Sequence, residues 1–108
     1  MRPTLTSALV CTMVMLWMAI AAAAGTALVS QKGRTFAVAR LEIVHGDVVR
    51  FMNDDTFLHQ IYVNTPAFNY ESAEQEPGGS VEIRFPNAGS FEVRCEIHPK
   101  MLLHVDVR

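Results

Sequence analysis

Three segments in the C-terminal third alternate strictly between apolar and polar side chains, and this period of two constrains the fold more than any other feature. Val81-Glu82-Ile83-Arg84-Phe85, Phe91-Glu92-Val93-Arg94-Cys95 and Leu103-His104-Val105-Asp106-Val107 each place three apolar groups on one side of an extended chain. Such a strand is stable only when its apolar face meets another layer. Upstream, Thr35 to Val44 reads as one or two strands with Leu41 and Ile43 on one face. A His45-Gly46-Asp47 turn and a strand from Val48 to Asn53 follow. Asn53-Asp54-Asp55 breaks that strand, and His59 to Val63 alternates with His59, Ile61 and Val63 together. Asn64 to Gly79, rich in Asn, Glu and Pro, reads as an irregular surface segment with a short edge strand. Helical periodicity is nearly absent after Gly25. Seven or so short strands at this spacing predict an all-β fold, a small antiparallel sandwich or barrel.

Residues 1–24 do not share that pattern. One charge, Arg2, precedes an apolar run with Met13, Met15, Leu16, Trp17, Met18 and Ile20, and four alanines close it before Gly25. This is the form of a secretory signal peptide, a signal helix removed on export. The alternative is an uncleaved anchor, since Ala8 to Ala24 reaches the short edge of a membrane span. The alanine-rich end and the polar, strand-like sequence beyond it favour cleavage after Ala24. Residues 25–108 then form one domain with one modest core and no membrane span, periplasmic or otherwise exported. With Arg2 gone, eight basic and eleven acidic side chains give that domain a net charge of −3. No basic stripe is present, which argues against nucleic acid as a partner.

The two cysteines are Cys11, which leaves with the leader, and Cys95. A single thiol in a compartment where disulfides are the norm is a free core residue, half of an intermolecular bridge or a metal ligand. The period-2 pattern gives directions. Cys95 continues the inward face of Phe91 and Val93, and His59 shares its face with Ile61 and Val63, so the two groups can meet at one end of a sandwich. After Cys95 comes Glu96-Ile97-His98-Pro99-Lys100-Met101, where a strand turns into a loop. One thiolate, two imidazoles and one thioether are the donor set of a mononuclear blue-copper site. Zinc fits less well, because its structural sites rarely use a thioether. Three ligands on one short loop, stiffened by Pro99, can wrap an ion, and His59 ties it to a distant strand.

The plain alternative is a satisfied core histidine, a free cysteine and a buried methionine; order and direction together favour copper. His45, in a turn, and His104, pointing away from the core, read as solvated. Met52 reads as packing, and Glu71, Glu74 and Glu76 as a solvated loop that can steer a basic partner.

The sequence resembles a cupredoxin. The loop Cys95-Glu96-Ile97-His98-Pro99-Lys100-Met101 is similar to that of amicyanin, and the longer pattern to bacterial plastocyanin-like proteins labelled methylamine utilization proteins. Five stretches carry the resemblance: Gln31 to Phe36, Gly46-Asp47 with Phe51 and Asn53, the strand opened by His59, the Pro77-Gly78-Gly79 turn, and the ligand loop. The resemblance implies a Greek-key β-sandwich holding one type 1 copper through His59, Cys95, His98 and Met101. It also implies docking of redox partners around His98 and Pro99, with Phe57 and Pro66 as rim residues. Where relatives have Asn after the first histidine, pinning the ligand loop, this chain has Gln60. Leu102 and Leu103 replace smaller residues after Met101, which bears on the axial bond.

The functions in competition are an electron carrier, a copper storage or delivery protein with the same ligands, and a cysteine enzyme with Cys95 as nucleophile. Four protein ligands leave no open position for substrate, which argues against an enzyme. A core-facing thiol also lacks the exposed electropositive surroundings of a reactive one. No C-x-x-C-H is present for covalent haem. The expected partners are redox proteins, not identifiable from the chain, and a small carrier is most simply a monomer.

Overall fold

The computed structural model describes residues 2–4, 12–16 and 24–108. The signal helix predicted within residues 1–24 lies for the most part outside the described residues. Among those described, no helix is long and apolar enough to cross a membrane.

The described residues form eight strands in order: β1 (Thr26–Gln31), β2 (Arg40–Ile43), β3 (Val48–Asn53), β4 (Ile61–Asn64), β5 (Asn69–Glu71), β6 (Ser80–Arg84), β7 (Gly89–Cys95) and β8 (Leu102–Val107). They form a three-stranded sheet, β1-β3-β6, and a five-stranded sheet, β2-β8-β7-β4-β5. The alternating runs become β6, β7 and β8. In the antiparallel β7–β8 pair, Phe91 faces Val105 and Val93 faces Leu103, and all four are buried. A slip of one residue would turn that whole set to solvent, so the apolar pattern locks the register. The edge strand expected within Asn64–Gly79 is β5, paired to β4.

Two features differ from the sequence expectation. Thr26–Gln31 forms a strand although its alternation is poor: Val29 and Gln31 are buried while Leu28 stays exposed. Here pairing with β3 overrides local pattern, setting Val29 against Phe51 and Gln31 against Asn53. In Thr35–Val44 only Arg40–Ile43 is strand, with Phe36 before it buried as a loop residue. Nor is the sandwich wholly antiparallel, since β1 pairs with β3 and β2 with β8 in parallel. Parallel neighbours need a crossover connection. Between β1 and β3 the chain crosses to the other sheet to make β2, and returns running the same way.

The core lies between the sheets. Phe85 is fully buried, with its ring centroid 5.5 Å from Phe68 and 5.7 Å from Phe91, and Phe36 meets Phe51 edge-on at 5.8 Å. One inward position of β3 is not apolar: after Val49 and Phe51 comes Asn53, fully buried. It marks the end of the sandwich where β4 begins, β7 ends and the loop to β8 closes over the top. Replacing Phe85 by Ala is expected to cost about 3–5 kcal/mol of folding free energy through the cavity left between Phe68 and Phe91. Denaturant unfolding of residues 25–108 measures it.

Candidate metal centre

The β4–β7 pairing sets Ile61 opposite Cys95, so His59, two residues earlier on the same face, arrives beside the thiol. His59 is held in place by a two-way main-chain bridge to Gln75: His59 N–H donates to Gln75 O at 3.2 Å and Gln75 N–H donates to His59 O at 2.6 Å. His98 returns over the site in the loop after β7, where Met101 N–H donates to His98 O at 3.0 Å. Cys95 Sγ then lies 3.6 Å from His59 Nδ1 and 3.8 Å from His98 Nδ1. The three donor atoms are all within 4.8 Å of one another. An ion with bonds of about 2.1 Å to nitrogen and about 2.3 Å to sulfur, at angles of about 110–120°, needs nitrogen and sulfur about 3.6–3.8 Å apart. The donor set thus fits a single ion of the size of copper. Met101, the thioether of the same loop, is buried, as is Cys95.

The surrounding hydrogen bonds hold this arrangement from outside. His59 Nε2 lies 2.7 Å from Asp55 Oδ2. Burial pushes the Asp55 carboxyl up, but the hydrogen bond from His59 and those from the Gly33 and Arg34 main chain outweigh it and hold the pKa below the usual value. An ionised carboxylate only accepts, so His59 carries its proton on Nε2 and turns a free Nδ1 lone pair toward Cys95. Asp55 in turn takes Gly33 N–H at 2.6 Å and Arg34 N–H at 3.3 Å, and its own N–H donates to Asn53 Oδ1 at 3.0 Å. Buried Asn53 also donates through Nδ2 to Phe57 O and to Gln75 O, both at 2.9 Å. Gln75 completes the layer by accepting from Gln31 Nε2 at 2.7 Å.

The outer rim is aromatic and basic. Phe57 has its ring 5.5 Å from His59 and 5.1 Å from His98, and the Arg34 guanidinium lies 4.8 Å over its face. Arg34 sits at φ 57°, a left-handed conformation costing a non-glycine residue about 1–2 kcal/mol. The Asp55 hydrogen bonds to Gly33 and Arg34 help offset that strain. Burial lowers the His98 pKa, and the neighbouring His59 ring and the Arg34 charge push the same way against Asp55. That favours the neutral imidazole, the form that ligates a metal.

The structure brings together His59, Cys95 and His98, with Phe57 packed on both rings and Pro99 exposed beside His98. Gln60 lies next to the thiol but works through its main chain: its N–H points at Cys95 Sγ at 3.5 Å, and its carbonyl accepts Glu96 N–H at 2.8 Å. Its side chain reaches instead to β5, donating to Ser72 O at 3.0 Å and Glu71 Oε1 at 3.3 Å. The extra methylene carries the amide past the ligand loop. Pro66, expected at the docking rim, lies in the β4–β5 turn beyond Asn64, at the end of β4 away from His59. His45 is exposed in its turn, and His104 lines a groove with Ser90, Glu92 and Asp106, so neither reaches the centre. The sequence reading gives no role at the centre to Asp55, Asn53, Gln75 or Arg34, although Asn53 and the Gln31–Phe36 stretch are among those that carry the resemblance. For Asp55 the signal is a carboxylate four residues before His59, which in Asn53-Asp54-Asp55 looks like any turn.

No protein-family model matches the chain, and no curated protein does. Solved structures do. Amicyanin from Paracoccus versutus is 20% identical, with 77% of this chain covering 81% of that one at a TM-score of 0.71. A purple cupredoxin from Nitrosopumilus maritimus is 22% identical over 76% of this chain and 99% of that one, at 0.67. A copper-containing nitrite reductase from Thermus scotoductus is 26% identical over 77% of this chain but 22% of its own, at 0.70. The chain therefore has the cupredoxin fold, and its donor set fits one copper ion. Both an amicyanin and part of an enzyme share that fold, so the fold by itself does not choose the function.

Replacing Asp55 by Ala leaves the buried His59 ring without its partner. Copper affinity is expected to fall about 10- to 100-fold, read by competition with a chelator of known affinity.

Proposed function

We propose that the chain is an exported carrier of single electrons, using one copper ion held by His59, Cys95, His98 and Met101. The observation that carries this reading is the convergence of two imidazole nitrogens on one buried thiol, in a frame already fixed by hydrogen bonds outside it. Copper supplies the one-electron step between Cu(I) and Cu(II). The chain's own residues hold the donors so that neither state demands rearrangement, exclude water and leave His98 at the surface as the way in and out. With four protein ligands no position remains for a substrate, which supports a carrier rather than an enzyme. The form of residues 1–24 supports export, with residues 25–108 as the working domain. Its partners on this reading are redox proteins.

The test is the visible spectrum of residues 25–108 after addition of Cu(II), then ascorbate. An intense thiolate-to-copper band that bleaches and returns on reoxidation is expected. Bound copper with only a weak spectrum would favour storage or delivery by the same residues, and no binding would leave the quartet as core packing. Cys95→Ala removes the only thiolate and is expected to abolish the band. Met101→Leu is expected to retain copper and the band while raising the reduction potential, because the axial donor tunes it. A redox titration reads that shift.

A further inference from the structure

Beside the centre, Arg34, Ile97, His98, Pro99 and Lys100 line one shallow groove. Its floor is apolar, and Ile97 is 40% exposed, one of few large apolar side chains so exposed in residues 25–108. Its two charged members are both cations, and among the described residues neither Arg34 nor Lys100 makes an ion pair. The neighbouring acids are engaged or turned elsewhere. Asp55 is nearly buried on His59 and the Gly33–Arg34 main chain. Glu96 lines a different groove with Glu71, Tyr62 and Tyr70. Arg34 is also fixed in place, its guanidinium resting on the Phe57 ring that packs against both histidines.

We propose that this groove is the docking face for a redox protein whose own contact surface presents carboxylates around an apolar patch. This rests on the copper reading above and adds the chemistry of the partner. Residues 25–108 carry a net charge of −3, so a cationic face at the His98 edge is a local feature set against the charge of the whole. Opposite potentials steer encounter and fix orientation. Here they turn an acidic partner toward His98 while the remaining surface repels it. Ile97 and Pro99 then supply the contact that excludes water.

Charged oxidants of opposite sign provide the test, applied to the reduced copper protein. With hexacyanoferrate(III), one electron passes from Cu(I) to Fe(III), giving Cu(II) and hexacyanoferrate(II), and no proton moves. The net charge of the protein predicts a rate that rises with salt; a local cationic face predicts one that falls. The rate is expected to fall between ionic strengths of about 0.01 M and about 1 M, where the Debye length shrinks from about 30 Å to about 3 Å. Lys100→Glu, and Arg34→Glu with Lys100→Glu, are expected to keep the blue band. The double variant is expected to react about 10-fold more slowly with hexacyanoferrate(III) at low salt, and faster than the parent with the cation tris(phenanthroline)cobalt(III). Opposite responses to the two oxidants separate a charge effect from damage to the centre, which slows both. Lys100→Glu alone, which leaves the Arg34–Phe57 contact in place, serves if the double variant does not fold. Blue protein whose parent rate rises with salt, or whose variants leave both rates unmoved, overturns the docking inference alone. Protein that takes up no copper overturns the copper reading, and the docking inference with it.

Discussion

The centre depends on one short pairing, Ile61 of β4 against Cys95 of β7. It sets two side chains 36 positions apart, His59 and Cys95, within 3.6 Å. Everything else at that end elaborates it. Gln60 between them turns its N–H toward the sulfur and takes Glu96 N–H on its carbonyl, so the loop to His98 leaves from a fixed point. The wider apolar pairing of β7 with β8 protects this register, because sliding β7 would expose Phe91 and Val93 as well as Cys95.

Behind the histidine lies a layer of buried polar groups. Gln31, Asn53 and Gln75 are buried and bonded to one another or to main chain. Among the described residues, Gln31 Oε1 is the one buried side-chain nitrogen or oxygen without a partner. Burying such groups is costly unless they are paired. What they bring is direction. Asn53 fixes the turn that carries Asp55, Asp55 fixes the proton on His59, and Gln75 fixes the His59 backbone. A purely apolar layer would pack as well without selecting one ring orientation.

Charge is distributed unevenly on the same end of the molecule. The ligand loop runs from Glu96, which faces Glu71, to Lys100, which faces the Arg34 side. Acidic and basic flanks thus sit on either side of one metal loop, so a protein that is acidic overall presents a basic edge at His98. The Arg34 position reflects competing forces. Its left-handed backbone is unfavourable, but two main-chain bonds to Asp55 and the Phe57 ring face act in the opposite direction.

The sequence alone determined which side chains point inward, because the two-residue period of a strand is local. Cys95, His59, Leu103 and Val105 are buried for that reason, and the loop Cys95–His98–Met101 is readable because its members are neighbours in the chain. The tertiary structure alone decided what those residues meet. Asp55, Asn53 and Gln75 read as turn or loop residues, yet they hold His59 because β1, β3 and the segment before β6 converge there across 22 to 44 positions. Parallel pairing of β1 with β3, the re-aiming of Gln60 toward β5, the removal of Pro66 to the far turn and the placing of Arg34 over Phe57 belong to the same class. Each follows from register and crossover between distant strands, and no periodicity within a single strand encodes these.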